Sequence, residues 1–147
     1  MIRYFSEDIS FDLKDRRKVS KWIKSVAEYR GYKLGDLNYI FCSDNYLLDI
    51  NRQFLGHDYY TDIITFDNSD DFYQEKGREG VSGDIYISID TIRANAKEYG
   101  EGFERELRRV IAHGLLHLTG CDDTSEELQK EMTSEENKSL DCYDGQL

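Results

Sequence analysis

Apolar residues along this chain fall into alternating and helical spacings in a readable order. Ile2 to Phe5 alternates and predicts a first strand, ending at the turn cluster Ser6, Glu7, Asp8. Val19, Trp22, Ile23, Val26 and Ala27 recur at helical spacing, predicting a helix from about Lys14 to Arg30, capped near Asp12 and closed by Gly31. Leu37 to Cys42 is β-branched and aromatic, so it reads as a strand. Ser43 or Asp44 then caps a short helix through about Gln53, with Leu47, Leu48 and Ile50 on its buried side. A polar loop from Phe54 to Tyr60 precedes the strand Ile63 to Asp67. Asn68 to Gly80 is charged and nearly free of aliphatic residues, a connection expected to be mobile, and Ser82 to Ile89 is the next strand.

The second half is mainly helical. Asp90 is placed to cap a helix carrying Ile92, Ala96 and Tyr99, interrupted at Gly100 and Gly102. Leu107, Val110, Ile111, Gly114, Leu115 and Leu118 then follow i, i+3, i+4, i+7, i+8, i+11, one continuous core-facing stripe that Gly120 stops. Thr124 and Ser125 open a terminal helix to about Leu140, docked by Leu128, Met132 and Leu140, with its acidic residues in solvent and CYDGQL frayed. The order β, α, β, α, β, β and then helices predicts an α+β fold, a small mixed sheet of about four strands covered mainly by helices.

Length and composition narrow the class. A chain of 147 residues with no proline and no composition break is expected to form one domain. Charged residues make up 33%, the net charge is −11, and no apolar run approaches about 18 residues, so no membrane span is expected. The segment MIRYFSEDISFDLKDRR lacks a basic head followed by an apolar stretch, so a cytoplasmic protein without a secretory signal is expected. Cys42, Cys121 and Cys142 are odd in number and widely spaced, which fits reduced thiols. The acidic balance argues against gripping nucleic acid over the whole surface. A local basic cleft remains open, from Arg105, Arg108 and Arg109 or from Arg93 and Lys97; the plainer reading is a solvated helix face paired with Glu98, Glu101, Glu104 and Glu106.

Candidate chemistry concentrates in RELRRVIAHGLLHLTGCDD, Arg105 to Asp123. His113 and His117 stand at i and i+4, so a helix presents both imidazoles on one face, beside the apolar stripe. Past the Gly120 stop the chain can double back and bring Asp123 to the same ion. Two imidazoles and a carboxylate suit Zn²⁺, about one per chain, and three protein ligands leave a fourth position for water. Cys121 reads as a small apolar residue rather than a ligand, and His57 as a solvated loop histidine. With no Gly-x-Ser-x-Gly elbow or phosphate loop, water activated by the metal is the strong nucleophile on offer. No residue stands out as general base; Glu106 lies on the histidine side but about 10 Å along the helix. The spacing also matches that of extended zincin metallopeptidases, yet those need Glu directly after the first histidine, where this chain has Gly114.

HGLLHLTGCDD resembles the H-G-x-L-H-L-x-G-Y-D-H signature of the YbeY family, metal-dependent endoribonucleases of ribosomal RNA maturation. INRQFLGHDYYTDIITF, Ile50 to Phe66, is similar to the family's L-N-x-x-[FY]-R-G-x-D-x-x-T-D-V-L-S-F segment, and SGDIYIS, Ser82 to Ser88, to its G-D-I-x-I-S strand. Asp123 stands where the family has a third histidine, and Leu55 where it has an arginine thought to help with the phosphodiester. The resemblance implies a zinc-dependent, single-strand-specific endoribonuclease acting in 16S rRNA 3'-end maturation and ribosome quality control, with the small subunit or an assembly factor as partner. It also places Thr61 and Asp62 in a structural and substrate-cleft region. The alternatives are a metallopeptidase and a non-catalytic, zinc-stabilised ribosome-assembly module, the latter favoured by the loss of arginine at Leu55.

Overall fold

A computed structural model describes residues 1–69 and 80–145. In chain order the elements are β1 (Ile2–Ser6), α1 (Arg16–Tyr29), β2 (Lys33–Cys42), α2 (Asp44–Ile50), a π-helical turn (Asn51–Leu55), β3 (Ile63–Asp67), β4 (Gly80–Ser88), α3 (Ile89–Tyr99), α4 (Phe103–Leu118) and α5 (Glu126–Gly145). The four strands form one mixed sheet in the order β1-β2-β4-β3, with β1, β2 and β4 mutually parallel and β3 antiparallel to β4. This is the small helix-covered α+β sheet that the apolar pattern implies.

The two central strands turn one fully apolar face to the helices, while the other face is mixed, with Asn38 of β2 bonded to Asp84 of β4 at 2.9 Å. Leu37, Tyr39 and Phe41 of β2 and Val81, Ile85 and Ile87 of β4 point into the main core, with Trp22 and Ile23 of α1 and Leu107, Ile111 and Leu115 of α4. On the opposite face Cys42 meets Leu47 of α2 and Ile64 of β3 in a smaller cluster. Every member of the α4 stripe from Leu107 to Leu118 is buried, and so are Ala112 and Leu116 beside it. The helix is walled on a further side by α5.

Several boundaries differ from the sequence expectation. β2 starts at Lys33, before Leu37, because Lys33 and Leu34 pair with Gly80 and Val81 across an irregular register. Backbone pairing extends a strand where side-chain character does not advertise it. The cap of α1 is Asp15, left-handed at φ 56° and ψ 43° and without a side-chain bond, while Asp12 instead accepts from Arg16 at 3.1 Å. Ser88, not Asp90, caps α3: its hydroxyl accepts from the Thr91 amide at 3.2 Å, and Asp90 accepts from the Asp44 amide at 3.0 Å. Ser43 caps α2 as expected.

The terminal helix continues to Gly145, so Cys142 to Gly145 is not frayed. Tyr143 is buried against Trp22, edge-to-face at 5.4 Å, and the Trp22 indole donates to the Ser139 carbonyl at 2.6 Å. Most of the connection expected between Asn68 and Gly80 lies outside the described residues. All three cysteines are free thiols. Among the described residues no helix is long and apolar enough to cross a membrane.

Candidate metal centre

α4 ends in a left-handed turn that sends the chain back along its own last turn. Gly120, at φ 94°, donates to the His117 carbonyl at 3.1 Å, and the Cys121 amide donates to Leu116 at 3.0 Å, the paired bonds of a Schellman motif. Arg30, the residue that caps the end of α1, locks this end through its bond to the Thr119 hydroxyl at 2.8 Å. The reversed chain brings Asp123 back over the last turn of α4. Gln129 holds it there by donating to the Asp123 carbonyl at 3.1 Å.

The three side chains meet. His113 Nε2 and His117 Nε2 are 3.0 Å apart, and the Asp123 Oδ2 atom lies 3.6 Å from the first and 3.5 Å from the second. These donor atoms could hold a metal ion. Tetrahedral bonds of 2.0–2.1 Å would space ligand atoms about 3.3 Å apart, so the observed triangle has the right size for Zn²⁺.

The far ring nitrogens decide the tautomers. His117 Nδ1 lies 3.1 Å from the Cys121 carbonyl, which can only accept, and His113 Nδ1 lies 2.7 Å from Glu136 Oε2. Both Nδ1 atoms therefore carry hydrogen, and two Nε2 lone pairs face each other. An ion held between them would take both lone pairs. Burial works against charge on His113, but the bond and charge of Glu136, with Asp123 and Asp62 behind it, prevail and raise its affinity for a proton.

Glu136 is the site residue that sequence reasoning missed. Its acidic surroundings suggest solvent, yet it is buried, and its other oxygen sits 3.5 Å from Arg109. The signal was its helical phase: Glu136 falls four residues after Met132 and four before Leu140, on the buried stripe of α5.

A cleft of about 610 Å³ opens over the three donors, bordered by Leu55, His57, Tyr59, Thr61, Asp62 and the edge strand β3. Asp62 faces it, and burial raises its carboxyl above the ordinary range despite the opposing field of His113. His57 lines the wall without joining the donor triangle, its Nδ1 bonded to the Tyr59 hydroxyl at 3.0 Å. Cys121 offers its carbonyl to His117, and its side chain packs against the main core.

The basic residues suggested for an RNA surface are engaged elsewhere. Arg105 bonds Asp144 at 3.2 Å, Arg109 bonds Asn137 at 3.1 Å, Arg108 lies over Tyr143, and Arg93 over Phe103. Of the expected pairing with acidic neighbours on the helix face, the structure has Arg105 and Arg109 with Glu101, at 4.0 and 3.9 Å.

Known proteins resemble this chain in sequence and in fold. The profile of the family Endoribonuclease YbeY matches residues 2–144. The chain belongs to the YbeY family. Proteins named Endoribonuclease YbeY from Parabacteroides distasonis and Cytophaga hutchinsonii are each 48% identical over 139 residues, covering 95% of this chain and 93% of theirs. The one from Phocaeicola vulgatus is 46% identical, covering 95% and 96%. The solution structure of TM1509 from Thermotoga maritima superposes with a TM-score of 0.66 at 27% identity, over 99% of this chain and 91% of that one. Asp123 completes the donor triangle, and Leu55 forms part of the cleft wall.

Proposed function

We propose that this protein is a zinc-dependent, single-strand-specific endoribonuclease that acts in the cytoplasm on the 3' end of 16S rRNA and in ribosome quality control, with the small subunit or an assembly factor as partner. The observation that carries the reading is the donor triangle of His113, His117 and Asp123, its two imidazoles fixed from behind, at the floor of a cleft in a YbeY chain. His113, His117 and Asp123 would hold Zn²⁺, which when bound would supply an acidified water and Lewis-acid polarisation of a phosphoryl group.

The chain's own residues do the rest. Glu136 and the Cys121 carbonyl orient the ligands. Asp62 is the carboxylate we assign to proton transfer, because it lines the same cleft as the three donors. A peptidase assignment fails on packing. A Cβ at Gly114 would lie 3.0 Å from Ile63 and 3.1 Å from Ile85, so the position where a zincin carries its glutamate is pressed on the sheet.

The test is to incubate zinc-loaded and chelated protein with single-stranded RNA, duplex RNA and casein. Cleavage of single-stranded RNA alone, lost on chelation and in zinc-depleted His113→Ala, is expected. Casein cleavage, or RNA cleavage indifferent to chelator, would sink the assignment.

A further inference from the structure

Four of the large apolar residues that the protein leaves exposed fall in one short segment beside the metal cleft: Phe54 (64%), Leu55 (44%), Tyr59 (57%) and Tyr60 (61%). Exposed apolar clusters of this kind mark interaction surfaces. This segment is also built rigidly. The buried Asn51 side chain donates to the Tyr59 carbonyl at 2.8 Å, the His57 amide donates to the Asn51 carbonyl at 3.2 Å, Arg52 bonds Asp58 at 2.5 Å, and Phe54 stands edge-on to Phe66 at 5.9 Å. Within it His57 and Tyr59 lie nearly parallel, 5.2 Å between centroids and 18° between planes, joined by the bond from the Tyr59 hydroxyl to His57 Nδ1. Both rings border the same cleft as the donor triangle.

The charge of the cleft points the same way. Among the described residues lining it there is no Lys or Arg, while Asp62, Asp67 and Asp123 are present. Arg52, close by in sequence, is occupied by Asp58 and Asp49. Beyond the metal site, a polyanion entering here finds no side-chain cation for its phosphates among the described lining residues, so further affinity has to come from another part of the nucleotide. Base–aromatic stacking supplies that without phosphate contacts, and a preformed two-ring stack presents a face for a further planar ring at little entropic cost.

We propose that the His57–Tyr59 pair is a base-stacking subsite that holds an unpaired nucleobase of single-stranded RNA next to the scissile position. The inference rests on the endoribonuclease reading and adds the subsite to it. A duplex is refused because its bases are not free to stack on the pair.

The experiment is a binding and cleavage cycle on the zinc-loaded full chain, using a short fluorescent single-stranded RNA and the same strand with one abasic position moved along it. Tyr59→Ala is expected to weaken binding of the intact strand about ten-fold. Tyr59→Phe, which keeps the ring and drops the hydroxyl, should stay near wild type. One abasic position should cost the wild type as much as the Ala substitution costs, and cost Tyr59→Ala almost nothing more. Equal losses for intact and abasic strands mean that Tyr59 only shapes the loop, and the inference is overturned. It is also overturned if Tyr59→Ala leaves RNA affinity and KM unchanged but abolishes self-association in sedimentation, which would make the patch a protein contact. Cleavage is read separately: wild type that cuts RNA while ignoring Tyr59→Ala loses the subsite and keeps the nuclease, whereas wild type that binds through the pair without cutting keeps the subsite and loses the nuclease.

Discussion

Replacing Glu136 by glutamine preserves the volume of the side chain and removes the charge that holds His113, so its effect isolates the support behind the donor triangle. Zinc affinity is expected to fall between about 10- and 100-fold with the fold intact, measured by competition with a chromophoric chelator; an unchanged dissociation constant would detach Glu136 from the site. The same pair gives the chelated protein a pH signature. Burial opposes charge on His113, but Glu136, Asp123 and Asp62 outweigh it, so its folded pKa lies above the ordinary ~6.5. A raised pKa stabilises the fold fully below the unfolded value, and that stability is lost as pH rises through the folded value. The gap in melting stability between chelated wild type and chelated Glu136→Gln should therefore be widest below the ordinary histidine value of ~6.5 and shrink as pH rises above it. Zinc-loaded protein should gain stability over that range, because ligands must shed protons to bind metal. At this scale the sequence was readable where spacing is local: His113, His117 and Asp123 fall within one helix and its return loop. Glu136 was hidden because its partner is 23 residues away on another helix, and only packing brings the two together.

Among the elements, β3, β4 and α4 meet so closely that one residue of β4 must be glycine. A Cβ on Gly83 would stand 2.6 Å from the Phe66 carbonyl oxygen of β3 and 3.0 Å from Leu118 of α4. Backbone cannot yield as a flexible side chain can, so Gly83→Ala should cost about 3 kcal/mol in urea unfolding and part the strand that walls the cleft from the helix that carries the ligands. A loss under ~0.5 kcal/mol would mean the contact relaxes freely. Helices with a single apolar stripe were legible in both position and phase, as the burial of Leu107 through Leu118 shows. The boundaries were less so. Lys33 and Leu34 join β2 through pairing with β4, Asp15 enters α1 left-handed, and the last turn of α5 is held by Tyr143 against Trp22, a contact between opposite ends of the chain. Each depends on a partner distant in sequence, which local pattern does not encode.

Over the whole molecule a net charge of −11 acts on any RNA before contact. Because no Lys or Arg lines the described cleft, few counterions are released on binding, and the dominant long-range effect is repulsion. Association with single-stranded RNA should speed up as salt is raised from about 10 mM to about 150 mM, where the screening length falls from roughly 30 Å to roughly 8 Å. Stopped-flow anisotropy measures this, and a rate that falls steeply with salt would reveal a basic contact surface. The α+β architecture was legible because its determinants are the order and period of short segments. Which helix stands behind the site was not, since α5 contributes to the main core, to Trp22 and to His113 at once. That position makes α5 a reporter of a centre to which it gives no ligand. As metal immobilises His113, the carboxylate of Glu136 loses its freedom to swing away, and the backbone amides around it should exchange with deuterium more slowly, so that isotope uptake in a peptide far from the histidines in sequence reads out whether the site is loaded.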